Sequence, residues 1–144
     1  MRTNCDITIY NKYISSGADK YQLTVIPLVE WENRKAANTL ATGGNINADS
    51  ATIFIPFARD ANYVKPKAWQ ALSSKTGKWT LQKGDFIVKG VVSDTIHDAV
   101  VSPASAAFNI SDLKKKYDDV LEISSVDTMD FGSLSLQHWK VSAK

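Results

Sequence analysis

The chain has 144 residues, of which 44% are hydrophobic and 22% are charged, and its formal net charge is +2. These values predict one folded globular domain over residues 1–144 and exclude global disorder. The apolar runs are too short for a membrane-spanning helix, and the start, MRTNCDITIY, has no apolar core of a signal peptide, so we expect synthesis and use in the cytoplasm. Cys5 is the only cysteine, which excludes an internal disulfide and a cysteine-rich metal site.

Two strands are predicted near the N-terminus. Residues 6–10 (DITIY) alternate apolar and polar side chains, and residues 21–31 form a second strand in which Pro27 marks a bulge or a sheet edge. Residues 11–20 between them are turn-forming in composition. Their closeness in sequence favours an antiparallel pair.

A long irregular loop is predicted over residues 32–50, ENRKAANTLATGGNINADS, which show no useful periodicity. Loops longer than about 12–15 residues are uncommon in compact domains and are usually functional or disordered. We expect either a surface insertion or an arm that becomes ordered on a partner. Anchored at both ends, it would project roughly 30 Å.

The stretch 67–92, KAWQALSSKTGKWTLQKGDFIVKGVV, predicts the central scaffold of the domain after a strand at 51–56 (ATIFIP). A short ordered approach at 68–72 leads into a β-hairpin. Its first strand is 78–81, its turn is 82–85 with Gly84 at a position of positive φ, and its return strand begins at Phe86. Gly90 predicts a bulge or bend that curves the sheet.

The C-terminal part of the chain predicts an irregular stretch at 93–105 and a short strand at 106–110. A brief helix follows at 112–117 with Ser111 as its N-cap, and strands follow at 120–126 and 134–141 with a turn at 127–133. Seven or eight strands, one short helix and no βαβ alternation predict a mainly β fold. We expect a small antiparallel β-barrel or sandwich with one short helix and a long irregular loop.

No pattern of catalytic residues is present. His97 and His138 are far apart in sequence, and neither a zinc-ligand spacing, a nucleophile elbow nor a phosphate-binding loop occurs. Asp118 with Asp119 and Asp127 with Asp130 are typical of solvated turns, although two carboxylates of a hydrolase could come from anywhere in the chain. We predict a protein that is not an enzyme and has no metal and no cofactor.

The four tryptophans are Trp31, Trp69, Trp79 and Trp139. A domain of this size needs large apolar side chains in its core, so we favour the interpretation that most of the tryptophans are core residues. Exposed tryptophans beside lysines would instead form stacking platforms for sugars or nucleic-acid bases.

Charge is unevenly distributed along the chain. Residues 1–58 carry five basic and five acidic side chains, residues 59–92 seven and two, and residues 93–144 five and eight, so the net charges are 0, +5 and −3. This pattern fits two solvated faces of opposite sign. It also fits a head-to-tail assembly in which a basic face meets the acidic face of the next copy.

Several segments in order along the chain resemble one family. They are CDITIYN, WE before the long loop, ATIFIPF, KPKAWQAL, GKWTLQKGDFIVKG, SDLKKKYDDVLEISSVD and LQHWKV. Together they resemble small neck proteins encoded in the structural gene clusters of tailed bacteriophages and prophages of Gram-positive bacteria. These are head-closure, stopper or head–tail connector proteins.

The resemblance implies a small β-barrel that forms a six- or twelve-fold ring in the virion neck, assembled in the bacterial cytoplasm. The ring would join the portal or adaptor to the tail, close the head and help to retain DNA. A long loop would point at the DNA channel or a neighbouring ring. The implied partners are copies of the chain, portal, adaptor and tail proteins, with non-specific proximity to packaged double-stranded DNA and no membrane.

Under this hypothesis, six residues are the candidates for contacts between subunits or with the channel: Arg34, Lys35, Asn38, Asn45, Lys75 and Lys83. Two alternatives remain open. One is a tail-completion or tail-terminator ring, and the other is a small β-barrel module that binds sugars or nucleic acid.

Overall fold

The computed structural model of the chain describes residues 3–39, 45–59, 61–97, 100–101 and 104–144, with side chains in 3–33, 50–59, 61–97 and 106–144. The strands in this part are β1 (Cys5–Ser15), β2 (Ala18–Thr39), β3 (Asn45–Pro56), β4 (Phe86–Lys89), β5 (Val100–Val101), β6 (Ala104–Ser105), β7 (Val120–Met129) and β8 (His138–Ala143). The helices are α1 (Pro66–Gln70) and α2 (Ile110–Lys116), with single 3-10 turns at Phe57–Arg59 and Leu134–Leu136.

Six strands close an antiparallel barrel in the order β1-β2-β3-β8-β7-β4. Strands β5 and β6 form a separate two-stranded pair within the stretch predicted to be irregular. The predicted mainly β class is confirmed, and of the two predicted architectures the chain adopts the barrel. Among the described residues, each of these six strands pairs with a neighbour on both sides, which protects a small sheet from pairing with other chains.

The barrel interior holds the main hydrophobic core, which includes Ile7, Ile9, Ile53, Ile55, Trp79, Trp139 and Val141. All four tryptophans are buried, with 0–5% of their surface exposed, so their prediction as core residues is confirmed. An aromatic stack runs through this core. Trp139 contacts Phe57 and Tyr63 with ring centroids 4.5 Å apart in each case, and Trp79 lies 5.7 Å from Trp139.

A second core lies on the outer face of the barrel, where α2 covers β1 and β4. It includes Tyr10, Phe86, Val88, Val92 and Leu113. This explains why residues 7–11 of β1 are buried on both faces of the strand. α2 begins two residues before the predicted start because Asn109, rather than Ser111, is its N-cap. Asn109 and Asp112 exchange reciprocal hydrogen bonds of 3.0 Å between side chain and backbone N–H, which is a capping box.

The turn between β1 and β2 is much shorter than predicted. Pairing of the two strands continues to Ser15↔Ala18, so only Ser16 and Gly17 remain in the turn. Their φ angles of +53° and +75° fit a two-residue hairpin whose twist matches that of the strands. The bulge predicted at Pro27 is confirmed, since the register with β1 shifts there and Leu28 has a φ of +56°.

The predicted central hairpin is wrong in its first strand. Residues 78–81 form no strand apart from an isolated parallel bridge between Trp79 and Tyr63. The turn is present, because the Asp85 N–H donates to the Gln82 carbonyl at 3.3 Å and Gly84 has a φ of +92°. The return strand is β4, which pairs with β1 and β7 instead.

Three further boundaries differ from the prediction. The predicted strand at 106–110 is absent: Phe108 forms an isolated bridge with His97, and Ile110 already belongs to α2. β7 continues to Met129 and so shortens the predicted turn. Leu134–Leu136 is a 3-10 turn rather than a strand, and both of its leucines are exposed to solvent instead of facing the core. β8 therefore starts at His138.

The irregular loop predicted over residues 32–50 is largely strand. β2 runs to Thr39 and β3 begins at Asn45, so the described part of this stretch is a β-hairpin. Backbone pairing carries on from Glu30↔Phe54 in an unbroken register, and this overrides the weak strand propensity of the Asn- and Ala-rich sequence.

Truncation of Trp139 tests the aromatic core. We expect Trp139→Ala to lower the free energy of unfolding by about 3–5 kcal/mol, because it leaves a cavity beside Phe57, Tyr63 and Trp79. Urea denaturation followed by circular dichroism measures the loss. The control Ile14→Ala removes a side chain that is 71% exposed and should change stability by no more than about 0.5 kcal/mol. Equal losses in the two variants would contradict this description of the core.

Candidate functional site

The strands β2 and β3 continue together beyond the barrel. β2 pairs with β1 only as far as Val29, and β3 pairs with β8 only from Ala51 onwards. The six pairs from Arg34↔Ser50 to Thr39↔Asn45 involve β2 and β3 alone in the described part of the chain. We call residues 34–39 and 45–50 the arm. At about 3.3 Å per residue it extends roughly 20 Å from the barrel.

The sequence of the arm gives it little stability of its own. Ile46 is the single large apolar residue among RKAANT and NINADS. A two-stranded ribbon without a hydrophobic face is marginally stable in water. Its outer edges also offer backbone N–H and C=O groups to an additional strand. The arm is therefore the strongest candidate in the fold for contact with a partner.

Four of the six predicted contact residues lie on the arm. The backbone places Arg34 opposite Ser50, Lys35 opposite Asp49, Asn38 opposite Ile46 and Asn45 opposite Thr39. Their side chains lie outside the described part of the structure. The register thus brings these four residues together on one element, whereas the sequence placed them on an irregular loop.

The other two predicted contact residues are lysines of the barrel body, and they differ from each other. The Lys75 ammonium donates to the Leu72 carbonyl at 2.9 Å and lies 5.0 Å and 5.3 Å from the ring centroids of Tyr13 and Trp69. This cation supports the segment that follows α1. Lys83 is exposed and lies between two surface grooves. Of the two, only Lys83 presents its charge freely to a neighbour.

Asp85 is a buried carboxylate that no sequence motif points to, since Lys-Gly-Asp is ordinary turn composition. Only 2% of its surface is exposed. Oδ2 accepts hydrogen bonds from Asn11 Nδ2 at 2.8 Å and Gln82 Nε2 at 2.9 Å, and Oδ1 accepts one from the Lys12 N–H at 3.0 Å. Asn11 also donates to the Thr80 carbonyl and accepts from the Thr80 N–H. These bonds attach residues 80–85 to β1 without a β-ladder.

The pKa of Asp85 is raised by desolvation, which outweighs the hydrogen bonds from Gln82, Asn11 and Lys12 that favour the charged form. Asp85 is hydrogen-bonded on both oxygens, so it is a structural group rather than a free acid or base.

A second polar cluster surrounds Asp94. Its carboxylate accepts a hydrogen bond from the Tyr117 hydroxyl at 2.5 Å and pairs with the Lys116 ammonium at 2.9 Å. Its backbone carbonyl accepts a hydrogen bond from the Tyr10 hydroxyl at 2.5 Å. The bond from Tyr117 and then that from Lys116 lower the pKa of Asp94. The cluster holds the segment after β4 against the end of α2.

Comparison with known families gives one match. The family of unknown function DUF6751 matches residues 2–144. The chain belongs to DUF6751. No curated protein and no solved structure matches it.

The histidines of this DUF6751 protein have structural contacts. The His138 ring packs edge-on against Phe54 at 5.4 Å, and its Nδ1 lies 2.8 Å from the Leu136 carbonyl oxygen. The backbone of His97 pairs with that of Phe108. No group of three or more His, Cys, Asp or Glu side chains suited to a metal ion occurs among the described residues. Within the same residues, no helix has the length and apolar character needed to cross a membrane.

The loop between β7 and β8 of this DUF6751 protein exposes three large apolar side chains. Phe131, Leu134 and Leu136 are 71%, 82% and 56% exposed. The loop is nevertheless ordered by its own hydrogen bonds, since Gln137 Nε2 donates to the Gly132 carbonyl at 3.2 Å and the Leu136 N–H donates to the Ser133 carbonyl at 2.9 Å. The segment LSL falls within the strand predicted at 134–141, so this exposed loop was not predicted.

The opposite pKa shifts of Asp85 and Asp94 predict opposite effects of pH on stability. The raised pKa keeps folded Asp85 protonated at pH values where the unfolded chain, with an ordinary pKa of 3.8, has lost the proton. The contribution of Asp85 to the free energy of unfolding therefore falls as pH rises from 3.8 through its folded-state pKa. In Asp85→Asn this contribution is absent, so the wild type minus variant difference should fall over this window.

The variant Asp94→Asn provides a control of opposite sign. The lowered pKa of Asp94 makes its contribution present above 3.8 and lost as pH falls through the folded-state pKa, so the corresponding difference should rise with pH. Urea denaturation of the three proteins from about pH 3 to pH 7 measures both differences. A profile for Asp85→Asn that runs parallel to the wild type would refute the assignment of a buried, pKa-raised carboxyl.

Proposed function

We propose that this chain is a virion structural protein of the neck of a tailed bacteriophage or prophage. It forms a six- or twelve-fold ring between the portal or adaptor and the tail, closes the head and helps to retain DNA. It has no catalytic role. The resemblance of segments from CDITIYN to LQHWKV supports this proposal, and so does the combination of a closed barrel with a projecting arm.

The arm is the observation that carries the proposal. A ring subunit needs a rigid body and an element that reaches a neighbouring subunit or ring. The barrel is a closed body, and the arm extends roughly 20 Å beyond it as a two-stranded ribbon with open edges. Addition of a partner strand to such an edge supplies backbone hydrogen bonds that the isolated ribbon lacks.

Charge also supports this assignment. Residues 32–50 carry two basic and two acidic side chains, so they have no net attraction for DNA that slides past them. The net charges of +5 in residues 59–92 and −3 in residues 93–144 suit contacts between different faces of neighbouring copies. Interfaces of that kind generate rings when the rotation closes.

Localisation in a purified particle tests the proposed role. We expect mass spectrometry to find the chain in intact virions of the phage or induced prophage that encodes it, and cryo-electron microscopy to place it in the neck. A position at the head-distal end of the tail tube, or absence from particles, would refute the neck role. A position at the junction of neck and tail tube would instead favour the tail-terminator function.

Replacement of the arm tests its part in assembly separately from folding. In this variant residues 34–50 are exchanged for Asn-Gly, which keeps the pair Asn33↔Ala51 and closes the hairpin with a two-residue turn. We expect the barrel to keep its melting temperature within about 4 °C, because none of the described core residues of the barrel lies within 34–50. Phage that carry the variant should produce filled or leaking heads without tails.

A matched control changes exposed Ile14 to Ala and should leave infectious titre unchanged. Normal titre from the arm-replacement phage would contradict the assigned role of the arm. A variant barrel that does not fold would show that the arm stabilises the body, contrary to the expectation from the location of the described core residues.

A further inference from the structure

A surface groove lies beside the bulge of β2, next to the C-terminal end of β3 at Pro56. Its volume is about 290 Å³, and its walls include the apolar residues Val25, Pro27, Ala58 and Trp79 together with Arg59. Val25 and Leu28, on the same stretch of β2, are 37% and 50% exposed. The groove is therefore apolar and open to solvent, with one cation at its wall.

The Nε of Arg59 is buried and has no hydrogen-bond partner among the described residues. Thr24, which also lines the groove, holds a buried hydroxyl oxygen in the same situation. A buried donor without an acceptor is costly, and a guanidinium favours a carboxylate that can accept two parallel hydrogen bonds. The groove is thus suited to an apolar side chain that is followed or preceded by an acid.

The β7–β8 loop of the chain itself has this chemistry. Phe131 is 71% exposed, and it directly follows the exposed acid Asp130. The loop is at the same end of the barrel as the groove, because Pro56 pairs with His138 and the Phe57 N–H donates to the Gln137 carbonyl at 3.1 Å. Both surfaces face away from the arm, which leaves the barrel at the Ala51↔Ala143 end of β3 and β8.

We propose that this end of the barrel is an interface between copies of the chain, in which Phe131 of one copy enters the groove of a second copy and Asp130 pairs with Arg59 there. Each copy donates a loop and receives one. An aromatic anchor in a pocket, with a charge pair beside it, is the arrangement that dominates binding energy at interfaces. The contact requires only a second copy of the chain, so it is independent of the proposed place of the protein in a virion.

The contact closes either as a two-fold pair or as a ring, and the mass of the assembly distinguishes the two. In both cases the interface joins a basic residue of the central part of the sequence to an acidic residue of the C-terminal part. The ordered loop reduces the entropy lost on binding, because its hydrogen bonds already order residues 132–137, which directly follow Phe131.

Two charge-reversed variants test the pairing. Asp130→Arg places two cations at each contact, and Arg59→Asp places two acids there, so each variant alone should self-associate at least about tenfold more weakly than the wild type. An equal mixture restores opposite charges at every contact and should associate about as tightly as the wild type. Sedimentation equilibrium of each protein and of the mixture measures the dissociation constants.

Further variants test the anchor and the location of the interface. Phe131→Ser should weaken self-association at least about tenfold, because the groove loses its apolar occupant. Asp118→Arg reverses an exposed charge just before β7, near the opposite end of that strand, and Ile14→Ala removes an exposed apolar side chain elsewhere. Both controls should stay within about twofold of the wild type.

Thermal melts establish that every variant is folded. A wild type that remains monomeric up to about 1 mM overturns the proposal. A mixture of Asp130→Arg and Arg59→Asp that associates no more tightly than either variant alone also overturns it. If another protein occupies the groove instead, the wild type remains monomeric and the proposal is overturned.

Discussion

Closure of the barrel depends on the four residues of β4. They pair with β1 from Ile7↔Lys89 to Tyr10↔Phe86 and with β7 from Phe86↔Glu122 to Val88↔Val120, so both neighbours would have open edges without them. Such a short strand is held at both ends by polar bonds to β1. On one side Asp85 binds Asn11 and the Lys12 N–H, and on the other the Thr8 hydroxyl donates to the Gly90 carbonyl at 2.8 Å and accepts from the Val92 N–H at 3.0 Å.

The closed barrel gives the molecule two unlike ends. At one end the arm continues the sheet as a two-stranded ribbon of β2 and β3. At the other end an ordered loop exposes Phe131, and a groove there includes Arg59, whose buried Nε has no hydrogen-bond partner among the described residues. A subunit with two different ends can contact one kind of neighbour through each end, which is the requirement for a component that joins two parts of a larger assembly.

The fold class could be predicted from alternation of side chains, as in Ile7 with Ile9 and Trp139 with Val141, and burial of the tryptophans followed from domain size. The antiparallel pair of β1 and β2 was predicted from their closeness in sequence and is confirmed, but the other pairings could not be predicted. Trp79 and Leu81 have strand-forming side chains, yet the partner of this segment is the amide of Asn11 rather than a strand. Residues 34–39 lack such side chains and still extend β2, because the backbone pairing with β3 that begins at Glu30↔Phe54 continues through them without a register shift. Nothing local distinguishes the buried Asp85 from a solvated turn aspartate.

The position of β8 between β3 and β7 has a consequence for synthesis on the ribosome. β1, β2 and β3 are consecutive hairpins and can pair as they emerge, but the outer edge of β3 has no partner until His138–Ala143 has been translated. Nascent chains therefore carry an exposed strand edge next to apolar Ile53 and Ile55 for most of translation. Neighbouring polysomes that synthesise many copies at once give such edges a chance to pair with each other before the final strand arrives.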